Sequence, residues 1–289
     1  MSLPEPLPAI MVEPLVRAAL LEDLGRGGDI TTAATIPASL LLDGVVASRQ
    51  SGVLAGTDAA ALAFRLLDPG ISVVVERPDG SRVSPGDIVF RLKGPARAVL
   101  SAERVALNLL CHLCGVATAT AALVEAVRPF PARIVCTRKT TPGLRMLEKH
   151  AVRAGGGSNH RFGLDDAILI KDNHVALAGG IRDAIVRCRQ AAGPFVKIEV
   201  EVDTIPQLAE ALQTGVDAVL LDNMTPEQMR EAVRMVDGRA LVEASGRIRL
   251  ENVNAVAATG VDLISAGWIT HSAPALDLGL DVKSSGESS

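Results

Sequence analysis

The stretch ARIVCTRK (Ala132–Lys139) sets a short apolar run directly against two cations. The form recurs downstream. AILI (Ala167–Ile170) runs into Lys171, VKIEVEV (Val196–Val202) carries Glu201 near its end, and AVLL (Ala218–Leu221) meets Asp222. ALVEA (Ala240–Ala244) meets Ser245, and DLISA (Asp262–Ala266) meets Gly267. Short runs rich in Val, Ile and Leu read as strands, and the spans between them suit helices, so the pattern is that of repeated βα units on a parallel sheet. From Lys139 onward the polar strand ends are spaced by 32, 30, 21, 23 and 22 residues, each enough for one unit. In barrel-type α/β folds the site is built at the C-terminal ends of the strands, so these residues are expected to converge on one mouth. The alternative, that they are helix caps or loop residues, suits Asp222 and Ser245. It suits Lys139 and Lys171 poorly, because a lysine closing an apolar run wants an anion. A closed barrel takes eight strands and six runs are visible, so an open, incomplete α/β barrel is predicted.

The preceding half reads differently. Residues 10–24 fit one amphipathic helix stopped by Gly25, Gly27 and Gly28. Strand-like runs follow at Val45–Ser48, Ile71–Val75 and Ile88–Leu92, with one helix at Asp58–Leu67, an α+β pattern. A long Ala- and Leu-rich helix is predicted over Ala96–Val127, bridging the halves and broken or kinked at Gly115. Its polar members Glu103, Arg104 and Asn108 fit a solvated face. The predicted division is an N-terminal domain over 1–114, a barrel domain over 115–272, and a tail, 273–289, packed back on the first domain.

Bulk composition excludes several classes. Aromatics make up 2% of the chain and Tyr is absent, which argues against a base-stacking nucleic-acid surface. A net charge of −4 gives no general pull toward nucleic acid or anionic membranes. No apolar run approaches the ~20 residues of a membrane span, and the start lacks a signal-peptide pattern, so a cytoplasmic protein is expected. Four cysteines in 289 residues make no disulfide framework. Cys111 and Cys114 form a CxxC inside a helical pattern with no second pair, which fits small buried side chains better than a zinc site.

Charge is local. Between Arg133 and Lys171 stand eight Lys or Arg and two His against three acids, formally +5. The client of such a segment is expected to be a small multiply charged anion. Within it, TPGLRMLEKHAVRAGGG predicts a helix over Pro142–Ala154, entered by proline and left by glycines. Arg145, Lys149 and Arg153 form a basic stripe, either a solvated face or part of a site. RAGGGSNHRFG (Arg153–Gly163) lacks the Lys-Ser or Lys-Thr of a phosphate-binding loop. Its glycines suit a helix exit with close backbone approach, leaving His160 and Arg161 to aim at a ligand. Arg matches a carboxylate bidentately. Glu201 and Asp222 suit Mg²⁺ brought in with a phosphorylated substrate, or simple compensation of Lys139 and Lys171. Ser245-Gly246, Ala266-Gly267 and Thr270-His271-Ser272 suit a phosphate pocket. The mouth thus asks for two anionic substrates, one phosphorylated and metal-bound.

The strings TRKTTPGLR (Thr137–Arg145), EKHAVRAGGGSNHRFGLDDAILIKDNH (Glu148–His174), EVEVD (Glu199–Asp203), LLDNM (Leu220–Met224), EASG (Glu243–Gly246) and ISAGWITHSAPALDLGLD (Ile264–Asp281) closely resemble the quinolinate phosphoribosyltransferase family. GDITT (Gly28–Thr32) and ERVALNLLCHLCGVAT (Glu103–Thr118) resemble its N-terminal half, and only Met1 to about Pro14 and the tail from Lys283 fall outside the likeness. The resemblance implies an N-terminal α/β sandwich, an open α/β barrel and a homodimer in which Arg104 is donated across the interface. It implies that Arg138, Lys139, His160, Arg161 and Lys171 hold quinolinate and the phosphoribosyl donor, with Lys149 also on the substrate-binding side. Lys139, Lys171, Glu201 and Asp222 are the implied catalytic residues. Glu201 and Asp222 are the implied Mg²⁺ side, and Ser245, Gly246, Gly267 and His271 the phosphate pocket. The implied reaction converts quinolinate and 5-phosphoribosyl 1-pyrophosphate to nicotinate mononucleotide, pyrophosphate and CO2, in NAD synthesis.

Three rivals remain. A related phosphoribosyltransferase would act on another pyridine carboxylate or metabolite base. A Schiff-base aldolase with Lys171 as nucleophile would leave Arg138, His160 and Arg161 with less to do. A lipoyl- or biotin-carrier module, suggested by DGSRVSPGDIVFRLKG, lacks a lysine at its hairpin tip, where Asp79-Gly80 stands.

Overall fold

The computed structural model describes residues 5–282. Residues 1–4 and 283–289, the outer ends of the predicted first domain and tail, lie outside the described residues. The elements begin with α1 (Ala9–Leu24), α2 (Ile30–Thr35), β1 (Leu41–Ser48), β2 (Gly52–Val53), α3 (Thr57–Leu67), β3 (Ser72–Val75), β4 (Arg82–Val83), β5 (Ile88–Pro95) and α4 (Ala96–Val127). The chain then runs β6 (Arg133–Val135), α5 (Arg145–Ala154), β7 (Ile168–Ile170), α6 (Asp172–Ala178), α7 (Ile181–Ala191), β8 (Ile198–Val202), α8 (Ile205–Thr214), β9 (Ala218–Asp222), α9 (Pro226–Val236), β10 (Leu241–Ser245), α10 (Leu250–Ala257), β11 (Leu263–Ser265), α11 (Trp268–His271) and β12 (Leu278–Val282).

Two compact units emerge: 1–121 with 141–156 and 272–289, and 122–140 with 157–271. The predicted division at 114/115 falls inside α4, which runs unbroken for 32 residues. The α5 segment belongs to the first unit although its sequence lies among the βα repeats.

In the first unit a four-stranded sheet runs β12-β1-β5-β3, each pair antiparallel. The segment after residue 272 belongs to this unit because β12 adds to β1, with Val46 opposite Leu280. Val46, Phe64, Phe90 and Leu92 are buried in its core. The unpredicted helix α2 is rich in β-branched Thr, a weak helix former. It is started by Asp29, whose carboxylate accepts from the Thr32 N–H at 2.9 Å. Asp79 caps α3 from a distant turn: it accepts from the N–H groups of Gly56 (2.9 Å) and Thr57 (3.0 Å), from the Thr57 hydroxyl, and pairs with His150 at 3.0 Å. Burial alone would raise the Asp79 pKa, but these hydrogen bonds, led by His150, hold it below the usual range. The Asp-Gly tip thus has a structural task. Glu148, fully buried, binds the ring of His112 at 2.8 Å and the N–H of Thr141 at 3.1 Å.

Helix α4 is long and apolar enough to cross a membrane by length and composition, contrary to the reading that no stretch comes near a span. However, 61% of its most apolar window is buried inside the protein. It is not broken at Gly115. That glycine instead admits the returning chain, since a Cβ there would sit 2.1 Å from the carbonyl oxygen of Pro274. Helix α5 begins at Arg145 rather than Pro142, after a turn in which Gly143 has φ +83°. It ends at the glycine triplet: a Cβ on Gly155 would lie 2.4 Å from the Ala117 carbonyl oxygen, and Gly156 is left-handed at φ +84°. The supposed basic stripe is not a solvated face, because Lys149 is 2% exposed while Arg153 is exposed.

The second unit holds a six-stranded, all-parallel sheet in the order β6-β11-β10-β9-β8-β7. The strands β6 and β7, consecutive in sequence, stand at opposite ends of this order. The outer edge of β6 is bridged by Ser158, whose N–H donates to the Ile134 carbonyl at 2.8 Å. Thr204 and Thr225 open α8 and α9, each in a reciprocal capping box, with Gln207 and Gln228 respectively. Because every strand points the same way, every C-terminal end lies on one rim.

Gly115→Ala tests the close approach in the first unit. Helix propensity alone favours Ala by about 1 kcal/mol. The main-chain clash reverses the sign, and a net loss of roughly 1–3 kcal/mol is expected. A thermal or denaturant midpoint equal to or above wild type would refute the contact.

Candidate active site

A cavity of about 670 Å³ opens in the second unit, lined from the strand ends. Arg138 and Lys139 reach it after β6, Lys171 after β7, Glu201 and Asp222 from β8 and β9, Ser245 and Gly246 from β10, and Gly267 and His271 after β11. His160 and Arg161 line it from the loop before β7. Asp222 and Ser245 are register partners across β9 and β10. Of the sequence-predicted site residues, Arg104 and Lys149 are placed elsewhere: on α4 and α5 of the first unit, Arg104 exposed and Lys149 buried.

Close approach of neighbouring side chains marks two glycines among these positions. A Cβ on Gly246, whose φ is +99°, would fall 2.3 Å from the Asn223 side-chain oxygen. A Cβ on Gly267 would crowd Lys139 Cδ at 3.0 Å, so its absence lets the lysine cross.

The cations are held from behind. His160 Nε2 lies 2.9 Å from Glu199 and 3.3 Å from Glu243. Burial by itself would lower the His160 pKa. Hydrogen bonds to Glu199 and Glu243, with the charges of both, push it up to about 10. The Arg161 main-chain N–H points at Nδ1 at 2.7 Å, an arrangement suited to a neutral ring. Two buried carboxylates outweigh that one amide, because ionic hydrogen bonds are roughly twice as strong as neutral ones. Burial raises the Glu199 pKa, with the His160 hydrogen bond opposing and the Glu243 charge adding to the rise. Burial and then the neighbouring Arg138 lower that of Arg161, whose guanidinium donates to the Ala167 carbonyl at 3.0 Å. Lys171 Nζ sits 3.2 Å from Glu201. Among the described residues, Ser265 Oγ and Trp268 Nε1, in side chains lining the cavity, are buried with no hydrogen-bond partner.

Sequence reasoning singled out neither Glu199 nor Glu243. Strand periodicity was the available signal: Glu199 shares a face with Glu201, and Glu243 with Ser245. It also passed over Arg247, Arg249 and Trp268, which line the cavity from loop and short-helix positions with no such periodicity.

Fold and cavity together define an α/β protein whose strand ends offer cations, carboxylates and small residues to a polyanionic ligand. The sequence descriptions of quinolinate phosphoribosyl transferase match over nearly the whole chain, the N-terminal domain at residues 29–114 and the C-terminal domain at 116–281. The chain is 47% identical over 275 residues to a nicotinate-nucleotide pyrophosphorylase [carboxylating] of Mycobacterium leprae, covering 92% of this chain and 95% of that one. It is 43% identical over 279 residues to a probable nicotinate-nucleotide pyrophosphorylase [carboxylating] of Bacillus subtilis, covering 96% of each. The crystal structure of NadC from Streptococcus pyogenes superposes with a TM-score of 0.92 at 38% identity, covering 97% of this chain and 100% of that one. This chain therefore belongs to the quinolinate phosphoribosyltransferase family.

The His160 cluster makes a pH prediction. A pKa raised from 6.5 to about 10 gives a stabilising contribution that is full below about pH 6.5 and lost as pH rises through about 10. NMR of the His160 ring is expected to show an imidazolium through pH 8, and Glu199→Gln or Glu243→Gln to lower its titration point. A wild-type ring that titrates near pH 6.5 would contradict this.

Proposed function

We propose that this protein transfers the phosphoribosyl group of 5-phosphoribosyl 1-pyrophosphate to quinolinate, releasing pyrophosphate and CO2 and leaving nicotinate mononucleotide, in de novo NAD synthesis. The observation that carries this reading is the convergence of Arg138, Lys139, His160, Arg161 and Lys171 on one cavity, in a chain of this family. Quinolinate brings two carboxylates and the donor several phosphate charges. Unit charges 4 Å apart interact by about 4 kcal/mol at an effective dielectric near 20, so these anions need cations in order to meet.

In this reading Arg138, His160 and Arg161 bind the quinolinate carboxylates, and Lys139 and Lys171 face the reacting groups. Ser245, Gly246, Gly267 and His271 bind the ribose phosphate. Arg104, exposed on α4, completes the site of a partner subunit in a homodimer, and Lys149 supports substrate binding. The six-stranded sheet is read as an open barrel, its gap between β6 and β7, and the first unit as the α/β sandwich.

Glu201 and Asp222, carboxylates at neighbouring strand ends, fit a hard cation such as Mg²⁺, which takes oxygen ligands. Bound with the donor, Mg²⁺ would neutralise charge on the pyrophosphate. The chain's own groups do the rest by position and charge. The pyridine nitrogen bonds to the anomeric carbon as the bond to pyrophosphate breaks, the leaving oxygen taking the electron pair. The passing state resembles an oxocarbenium ion, which Glu201 or Asp222 would stabilise. The new pyridinium is then the electron sink. The bond to the adjacent carboxylate breaks, CO2 leaves, and the ring carbon takes a proton. No enzyme adduct is involved. Lys171 is engaged with Glu201 at 3.2 Å, unlike an amine nucleophile activated in an apolar pocket.

Purified protein with Mg²⁺ and phosphoribosyl pyrophosphate is expected to form nicotinate mononucleotide and CO2 from quinolinate. Product from nicotinate alone would refute the assignment and favour a related phosphoribosyltransferase. Lys139→Ala should cost on the order of 10²-fold or more in kcat/KM. Mixing inactive Arg104→Ala and Lys171→Ala subunits should restore activity in about a quarter of the sites if a two-fold dimer shares them. No recovery after confirmed exchange would refute the shared site.

A further inference from the structure

The turn after β10 carries two arginines that the mechanism above does not use. Arg247 and Arg249 both line the cavity and both are exposed. Among the described residues neither has a carboxylate at ion-pair distance, whereas His160 and Lys171 already have carboxylate partners. Their placement is enforced. The Asn252 amide donates to the Arg247 carbonyl at 3.0 Å, and its oxygen accepts from the Arg249 N–H at 2.8 Å. Arg247 holds φ +51°, a conformation that its Cβ disfavours and glycine would adopt freely. The Arg249 guanidinium lies 5.6 Å from the Trp268 ring centroid, a cation–π contact that orders it at the cavity wall. Next to this turn, at the end of β11, Ser265 is 4% exposed and its hydroxyl has no hydrogen-bond partner. Trp268 Nε1 is likewise buried without one. Two cations without carboxylate partners and two buried polar atoms without hydrogen-bond partners thus belong to residues that line the same cavity.

We propose that Arg247 and Arg249 form a second cationic wall of the phosphate pocket and bind the terminal phosphate monoester of a ribose phosphate. This rests on the reading of Ser245, Gly246, Gly267 and His271 as that pocket. The wall directly follows Ser245, the last residue of β10, and Gly246. Because the reading above gives these two to the ribose phosphate, the wall serves the phosphoribosyl donor. Guanidinium groups match phosphate oxygens bidentately. A cation without an acid partner can take the phosphate without first breaking an ion pair.

The test is calorimetric titration of ribose 5-phosphate into wild type, Arg247→Gly, Arg249→Gln and the double variant. Arg247→Gly removes the guanidinium and suits the positive φ, so its thermal midpoint is expected to hold or rise. Each single variant is expected to weaken ribose 5-phosphate binding about tenfold and to flatten its salt dependence. KM for the donor is expected to rise similarly, and KM for quinolinate to move by less than about threefold. Wild type that binds ribose 5-phosphate, with the double variant binding equally well, would overturn this proposal alone. Weaker binding of pyrophosphate with ribose 5-phosphate unaffected would also overturn it. Wild type that fails to bind ribose 5-phosphate would overturn both the pocket reading and the wall built on it.

Discussion

Like charges crowded on one rim repel each other, and the second unit is organised around that repulsion. An all-parallel sheet brings every strand end to the same side, so the cations after β6 and β7 and in the loop between them share a cavity with the polar ends of the other strands. The sheet answers with carboxylates on its own strands. Glu199 and Glu243 stand behind His160, and Glu201 meets Lys171. These contacts differ in strength. The His160 cluster is largely buried and keeps its Coulomb attraction, whereas Lys171 is half exposed and its pair is screened and weak. An incoming anion can thus recruit Lys171 at little cost while His160 stays fixed.

The first unit shows the same economy in a structural setting. Asp79 and Glu148 are buried acids, and each is satisfied by main-chain N–H groups together with a histidine. A buried carboxylate without such partners would be costly, so each network fixes the geometry of the segments it joins. Gly115 and Gly155 work by omission. Both mark places where main chain approaches main chain too closely for any side chain.

Residues with a local signature were legible in advance. The run-and-polar-end pattern predicted the βα repeats and the convergence of their ends on one cavity, because strand periodicity and strand direction are set by nearby residues. Helix α4 was located residue for residue, since its composition favours helix over its whole length. What was missed depended on distant contacts. Gly115 reads as a helix breaker unless one knows that Pro274 lies against it. The apolar length of α4 turned out membrane-compatible in composition, and burial inside the protein is what distinguishes it.

The sequence by itself determined the class of the protein. The parallel repeats, the cluster of positive charge and the acids and glycines at strand ends are properties of short segments and gave the fold class, while the resemblance of whole strings such as Glu148–His174 pointed to the family. Only the tertiary structure decided which charges act together. It set Glu199 and Glu243 on one imidazole, took Lys149 into the first unit, and turned Arg247 and Arg249 toward the cavity. The physical reason is that a side chain's charge state and partners depend on groups tens of residues away in sequence, brought within a few ångströms by strand order and packing.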